Sequence, residues 1–205
     1  HEQAQAITFT IADRVDFETG QVRLPQLNLS PEQARKIAKI GVVACGTSVY
    51  AGRVGQFMIE SLARIPVGVD YASEFRYRDP LIDESSVVLA ITQSGETVDT
   101  LAAMEEARNK GAMLWAIVNV IGSQADRVSD GVIHMKAGPE IGVASTKAFT
   151  ASLVDLYLLS LYLGQARGTL TPDRSRQLLD ALLALPALAG EVLANDDQYE
   201  QLANL

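Results

Sequence analysis

The chain has 205 residues, of which 48% are hydrophobic and 20% charged, and its formal net charge is −8. Such a length and balance build a folded domain with a substantial core and exclude a disordered chain. The acidic surplus argues against nucleic acid and anionic lipid as partners, since both need a basic surface.

The opening HEQAQAITFTIADRV fits helix and strand equally by propensity and belongs to an N-terminal segment, residues 1–27. In SPEQARKIAKI, Ser30 can cap a helix, Pro31 suits its first position and Gln33 completes a capping box. An alternation then begins. IGVVAC (40–45) reads as a buried strand, followed by the helix VYAGRVGQFMIESLARI. Val54, Phe57, Met58, Leu62 and Ile65 share one face of that helix, with Arg53, Glu60 and Arg64 on another. VGVDY (67–71) is the second strand, and SEFRYRDP (73–80) is a polar surface turn. SVVLAIT (86–92) is the third strand, and its helix runs from about Thr97 to Lys110, stopping at Gly111. MLWAIVNV (113–120), a short helix at SQADRVS, and GVIHMKA (131–137) supply the fourth and fifth strands. GPEIGVASTKAFT leads into a long apolar helix spanning Ala144 to Gly164. From Thr171-Pro172 onward the chain reads as helices broken at Pro186, a connector over residues 168–205.

Val/Ile-rich strands alternating with helices predict a three-layer α/β/α sandwich over residues 28–167, built on a five-stranded parallel sheet with right-handed crossovers. The apolar run FTASLVDLYLLSLYLG is shorter than the roughly 20 residues a bilayer crossing needs, and Asp155 interrupts it. No membrane span and no signal peptide are expected. A start at His1 and a stop within a helical run lead to the expectation of an excised fragment.

Ligands of open α/β sheets bind beyond the carboxyl ends of the strands, where strand order reverses. In a flavodoxin-like order the first and third strands are neighbours, so CGTS (45–48) and TQSGET (92–97) face one crevice. Helix N-termini offer free N–H groups there, Ser48, Thr92, Ser94 and Thr97 add hydroxyls, and Gly95 permits close backbone approach. Together they can hold a phosphate without Lys or Arg. The same residues can instead simply cap two helices. Walker and dinucleotide glycine patterns are absent, which excludes ATP and NAD by motif, and no cofactor is expected.

A third polar turn, EIGVASTKAFT (140–150), can bring Ser145, Thr146 and Lys147 to a ligand or merely start the long helix. Lys147 is weaker as a Schiff-base lysine than as a solvated or paired one. Cys45, the single cysteine, has no histidine placed to activate it and fits a reducing compartment. His134 reads as structural, and with only His1 beside it no Cys/His metal site is expected. Arg76 and Arg78 either contact an anion or pair within their own surface loop.

ACGTS, ASEFRYRDP, QSGETVDTL and GPEIGVASTKAFT, in this order and spacing, closely resemble the first sugar-isomerase (SIS) domain of the glutamine–fructose-6-phosphate aminotransferase family. The match runs over nearly the whole chain. The resemblance implies that Ser48, Thr92, Gln93, Ser94 and Thr97 hold a sugar phosphate, and that Thr47, Val143 and Ser145 line the sugar. Thr92 stands where the family often has serine. It further implies a cytoplasmic enzyme making glucosamine 6-phosphate from fructose 6-phosphate and glutamine, with a glutaminase domain, a second SIS domain and a homodimer as partners. The family's catalytic lysine, base and histidine lie in a C-terminal portion not included here, so this chain is expected to bind and not to turn over. A related phosphosugar deglycase or isomerase is the alternative within the same architecture. A phosphosugar sensor acting on a partner is the alternative from another class. Part of the long helix, through Leu153, Leu156, Leu159, Leu163, Tyr157 and Tyr162, is expected to pack on another SIS domain.

Overall fold

The computed structural model describes residues 1–142 and 144–204. In chain order the elements are α1 (Gln3–Ile11), β1 (Val15–Asp16), β2 (Gln21–Val22), α2 (Pro31–Lys36), β3 (Lys39–Ala44), α3 (Thr47–Ala63), β4 (Val67–Tyr71) and α4 (Ala72–Phe75). They continue with β5 (Ser86–Thr92), α5 (Val98–Asn109), β6 (Met113–Val118), α6 (Gln124–Val128), β7 (Gly131–His134), α7 (Lys147–Arg167), α8 (Pro172–Leu193) and α9 (Asp196–Ala203). β1 and β2 form a small antiparallel ladder, and the other described strands form a parallel sheet in the order β4-β3-β5-β6-β7. The fold is α/β, with five parallel strands flanked by helices, and β3 and β5 are neighbours as the alternation predicts.

The strands are Val/Ile-rich because both faces of the sheet are covered. Val42, Leu89, Ile91, Trp115 and Ile117 point into a core closed by α3 and α7, with α1, α2 and α8 behind. Their neighbours Val43, Val88, Ala90 and Leu114 point the other way, against Phe75, Ala103, Met104 and Ala125 of α4, α5 and α6. The central strand β5 is buried along its whole length.

Local signals account for several boundaries. Ser30 and Gln33 form the capping box at α2, the Gln33 N–H donating to Ser30 Oγ at 3.2 Å and the Ser30 N–H to Gln33 Oε1 at 2.9 Å. Gly111, at φ +84°, follows α5 and supports its termination. The opening segment resolves as a helix because Ile7 and Ile11 dock in the core beside α7 and α8.

Other features correct the sequence reading. On α3, Ile65 is buried beyond the helix end and Met58 and Leu62 are half-buried, but Val54 and Phe57 face solvent, Phe57 at 73% exposure. The buried face is instead Val49, Ala51, Gly52, Gly55, Ile59 and Ala63. A Cβ on Gly52 would lie 2.8 Å from Val42, and one on Gly55 would lie 2.7 Å from Leu156. α3 thus approaches the sheet and α7 too closely for larger side chains. α7 begins at Lys147, later than expected, because Glu140 caps it from outside. Its apolar groups Leu156, Leu159 and Leu163 are buried within the chain, while Leu153, Tyr157 and Tyr162 are half-buried. α8 runs unbroken through Pro186, its inner residues Leu179 and Leu182 seated in the core. Residues 72–75, expected in part as a polar turn, form α4 around buried Phe75.

One buried ion pair ties the first segment to the rest. Arg14 donates to the Asp155 carboxylate and to the His134 carbonyl, and Asp155 has no exposed surface. Among the described residues no helix is long and apolar enough to cross a membrane.

Candidate functional site

The register of the central strands builds the site. β3 pairs with β5 so that Ala44 lies opposite Ile91, and the chain leaves both strands side by side at their carboxyl ends. Cys45 to Ser48 and Thr92 to Thr97 therefore enter one cleft, of about 230 Å³. Its lining is Cys45, Gly46, Thr47, Ser48, Ile91, Thr92, Gln93, Ser94, Thr97, Thr100 and Ser145. The structure thus brings together Thr47, Ser48, Thr92, Gln93, Ser94, Thr97 and Ser145; Thr146 and Lys147 are not in the lining, and Val143 lies outside the described residues. Among the described lining residues none is charged.

Two helices begin at this cleft, and the capping alternative can be examined at each. α3 starts after Gly46, at φ +57° and ψ −136°, a conformation suited to glycine. α5 starts after Thr97. Among the described residues no side chain caps either helix, so their first N–H groups remain available to an anion. Two hydroxyls organise the intervening turn instead. Thr92 Oγ1, buried, accepts the Gly95 N–H at 3.2 Å, and Ser94 Oγ accepts the Glu96 N–H at 3.2 Å. Gly95, at φ +72°, turns the backbone against Ser123, where a Cβ would overlap the serine side chain.

Neighbouring turns fasten this one. The Asn119 N–H donates to Gln93 O at 3.2 Å and the Ala125 N–H to Gly95 O at 3.0 Å. Glu96 Oε1 accepts the Gln124 N–H at 2.7 Å. Asn119 then links onward, its Nδ2 donating to Gly138 O at 2.7 Å and its Oδ1 accepting the Ala137 N–H at 3.1 Å. Hydrogen bonds therefore connect the turns after β5, β6 and β7, so the cleft walls are positioned by backbone as well as by packing.

The remaining candidates fall elsewhere. Lys147 is buried and paired with Glu2 at 2.9 Å. His134 Nε2 lies 3.2 Å from Asp126 Oδ1, outside the cleft lining. Arg78 pairs with Asp70 at 2.6 Å, and Arg76 stacks over the Tyr77 ring, its carbon 4.7 Å from the centroid. Among the described residues no group of three or more His, Cys, Asp or Glu side chains is placed to hold a metal ion.

Gly46, Ile91 and Thr100 are lining residues that sequence reasoning assigned no role at the ligand, and Cys45 it read as structural. Thr100 looks like an ordinary helix hydroxyl; the available signal was its three-residue spacing from Thr97, which puts both on one helix face. Its Oγ1 donates to Cys45 Sγ at 3.7 Å, joining the two turns across the cleft.

Comparison with known proteins follows this geometry. The model of a family described as the SIS domain matches residues 34–162. A glutamine–fructose-6-phosphate aminotransferase (isomerizing) of Clostridium tetani is 46% identical over 204 residues, covering 100% of this chain and 33% of that protein. Its namesake in Symbiobacterium thermophilum is 46% identical over 203 residues, covering 99% and 33%. The chain thus spans about a third of the length of these curated relatives. Among solved structures, the C-terminal domain of glucosamine-fructose-6-phosphate aminotransferase from Francisella tularensis superposes with a TM-score of 0.92 at 36% identity, covering 99% of this chain and 56% of that one. A structure from Clostridium difficile 630, at TM-score 0.82 and 20% identity over 98% of this chain and 54% of its own, shares the fold.

Proposed function

This chain belongs to the SIS domain family, and from that premise we propose that it is the sugar-phosphate-binding half of the isomerase portion of a glutamine–fructose-6-phosphate aminotransferase. The reading is carried by one observation: two helices open into a hydroxyl-lined cleft with no side chain capping either among the described residues. A phosphate there receives hydrogen bonds from backbone N–H groups, from the Ser48, Ser94 and Thr97 hydroxyls and from the Gln93 amide, with the two helix dipoles in place of a fixed cation. Thr92 Oγ1 and Ser94 Oγ each accept a backbone N–H of the turn, which leaves both O–H groups to donate to the phosphate. Thr47 and Ser145, at the cleft wall, face the sugar in this reading, and the family resemblance gives Val143 the same role. Binding without a fixed counter-charge suits a phosphate that enters and leaves, and it is compatible with a net charge of −8.

The described lining holds no general acid–base pair. In this reading the chain supplies recognition, while proton transfer and amination belong to other parts of a longer protein that includes a second SIS domain and a glutaminase domain. An apolar groove of about 610 Å³, lined in part by Met58, Leu153, Tyr157, Leu185 and Val192, is a face for a neighbouring SIS domain or the second copy of a homodimer. A cytoplasmic location belongs to the same proposal.

Calorimetric titration with fructose 6-phosphate and glucosamine 6-phosphate tests the reading. Both bind, unphosphorylated fructose binds far more weakly, and Ser94→Ala weakens both phosphosugars. Equal affinity for fructose and its phosphate, or no effect of Ser94→Ala, would overturn it.

A further inference from the structure

Glu140 raises a question that the phosphate reading leaves open. It is an acidic side chain on the loop before α7, close in sequence to Ser145, which lines a cleft meant for an anion. Its carboxylate is fully engaged. Oε2 accepts the N–H groups of Thr146 and Ala148, each at 3.0 Å, and Oε1 accepts the Thr146 hydroxyl at 3.0 Å. Thr146 is the N-cap residue of α7, and its own side chain makes no cap hydrogen bond. The capping acceptor for α7 thus comes from six residues upstream. α3 and α5, by contrast, have no side-chain cap. Of α3, α5 and α7, it is α7 that receives a carboxylate at its start, on the Thr146 and Ala148 N–H groups, among the described residues.

Resting on the proposed phosphosugar site, we infer that Glu140 is a positioning residue that holds Ser145 at the sugar end of the cleft. Ser145 directly precedes Thr146, which the carboxylate grips at both its N–H and its hydroxyl. That double grip fixes the position from which Ser145 enters the lining. The phosphate end is built separately, from the turns after β3 and β5. Glu140 therefore governs recognition of the sugar and not of the phosphate. Its charge is stabilised locally: burial pushes the carboxyl up, but the Ala148 and Thr146 N–H groups, the Thr146 hydroxyl and the Lys147 charge outweigh burial and hold it below the ordinary range.

Two variants separate this role from a charge effect. Glu140→Ala removes every acceptor. Glu140→Gln removes the charge, yet its amide oxygen can still accept the two N–H groups and its NH2 can donate to the Thr146 hydroxyl. Binding is followed by NMR titration with fructose 6-phosphate and with inorganic phosphate, and amide hydrogen exchange is read at Thr146 and Ala148. Glu140→Ala is expected to speed exchange at both amides and to weaken fructose 6-phosphate about tenfold, the scale of a lost charge-assisted hydrogen bond. Inorganic phosphate should bind it as it binds the wild type. Glu140→Gln should stay close to wild type in both readouts, and Ser145→Ala should add little in the Glu140→Ala background.

Tighter binding by both variants would mean that Glu140 acts only as a repelling charge, and would overturn the inference. So would an equal loss for the two ligands in Glu140→Ala, which would mark general damage to the fold. If the wild-type chain binds neither ligand, the phosphate reading itself fails, and unchanged exchange at Thr146 and Ala148 would then dismiss the clamp as well.

Discussion

Replacing Gly95 by alanine probes how the turn after β5 is held. Gly95 has φ +72°, where an added Cβ costs ~1 kcal/mol in backbone strain. That Cβ would also stand 2.5 Å from the Ser123 Cβ, closer still to its hydroxyl, and 3.0 Å from Val118 Cγ2. Neither neighbour moves freely, because Val118 lies in β6 and the Ser123 carbonyl accepts the Arg127 N–H at 3.0 Å at the start of α6. Overpacking against such neighbours costs ~1–3 kcal/mol. The expected total is ~2–4 kcal/mol, a large share of the stability of an ordinary domain. Gly46→Ala is the companion variant: at φ +57° and ψ −136° a side chain costs ~1–3 kcal/mol in backbone strain, but its Cβ would meet nothing within 4 Å. In urea unfolding both variants lose stability, and only the loss at Gly95 contains a packing cost. Ser123→Gly in the Gly95→Ala background should recover most of it, since the Ser123 hydroxyl has no hydrogen-bond partner among the described residues to lose. No recovery with Ser123→Gly, or the same recovery by Ser123→Gly in the Gly46→Ala background, would refute the reasoning.

Three further perturbations test the packing around the site. Gly55→Ala places a Cβ 2.7 Å from Leu156 Cδ2, and overpacking should outweigh the gain in helix propensity, for a net loss of ~1–2 kcal/mol. Leu156→Ala in the same chain should cost less than its separate ~2–5 kcal/mol, and strictly additive urea midpoints would show that α3 and α7 simply move apart. Above pH ~7, where Asp155 is charged, Asp155→Ala leaves the Arg14 guanidinium buried without its carboxylate and should cost ~3–5 kcal/mol, whereas Arg14→Met with Asp155→Leu should restore most of it. A loss no larger than that of a surface ion pair would dismiss the pair as a fastener. Burial pushes Asp155 up to about 7 against the attraction of Arg14, so the folded chain holds a proton there that the unfolded chain releases above about pH 4. Its contribution to stability is full below pH ~4 and declines as pH rises toward 7, a slope that Asp155→Asn should remove. The same pH dependence of Tm in both chains would show that another group is responsible.

Much of this architecture is legible in the residues. The unbroken apolar runs IGVVAC and SVVLAIT mark strands buried on both faces, and parallel crossovers then leave few strand orders. With β3 beside β5, as a flavodoxin-like order has them, hydroxyl-rich turns at their carboxyl ends meet, so Ser48, Ser94 and Thr97 could be placed at one crevice from spacing and that order. The capping box at Ser30 and Gln33 is equally local. Glu140, Asn119 and Thr100 were not legible in this way, because each acts on residues that only the folded turns bring within hydrogen-bond reach.

The sequence by itself determined the elements whose hydrogen bonds and burial repeat over a few residues: strand identity, the parallel alternation and the polar ends of the strands. Only the tertiary structure decided which face of α3 is buried. Hydrophobicity favours Val54 and Phe57, but the close approach of α3 to Val42 and Leu156 admits Gly52 and Gly55 and leaves Phe57 outside. It also decided that α8 continues through Pro186, where the packing of Leu179 and Leu182 against the core offsets the lost backbone hydrogen bond. In each case shape complementarity between distant segments outweighs local preference, and a linear pattern of residues carries no record of that shape.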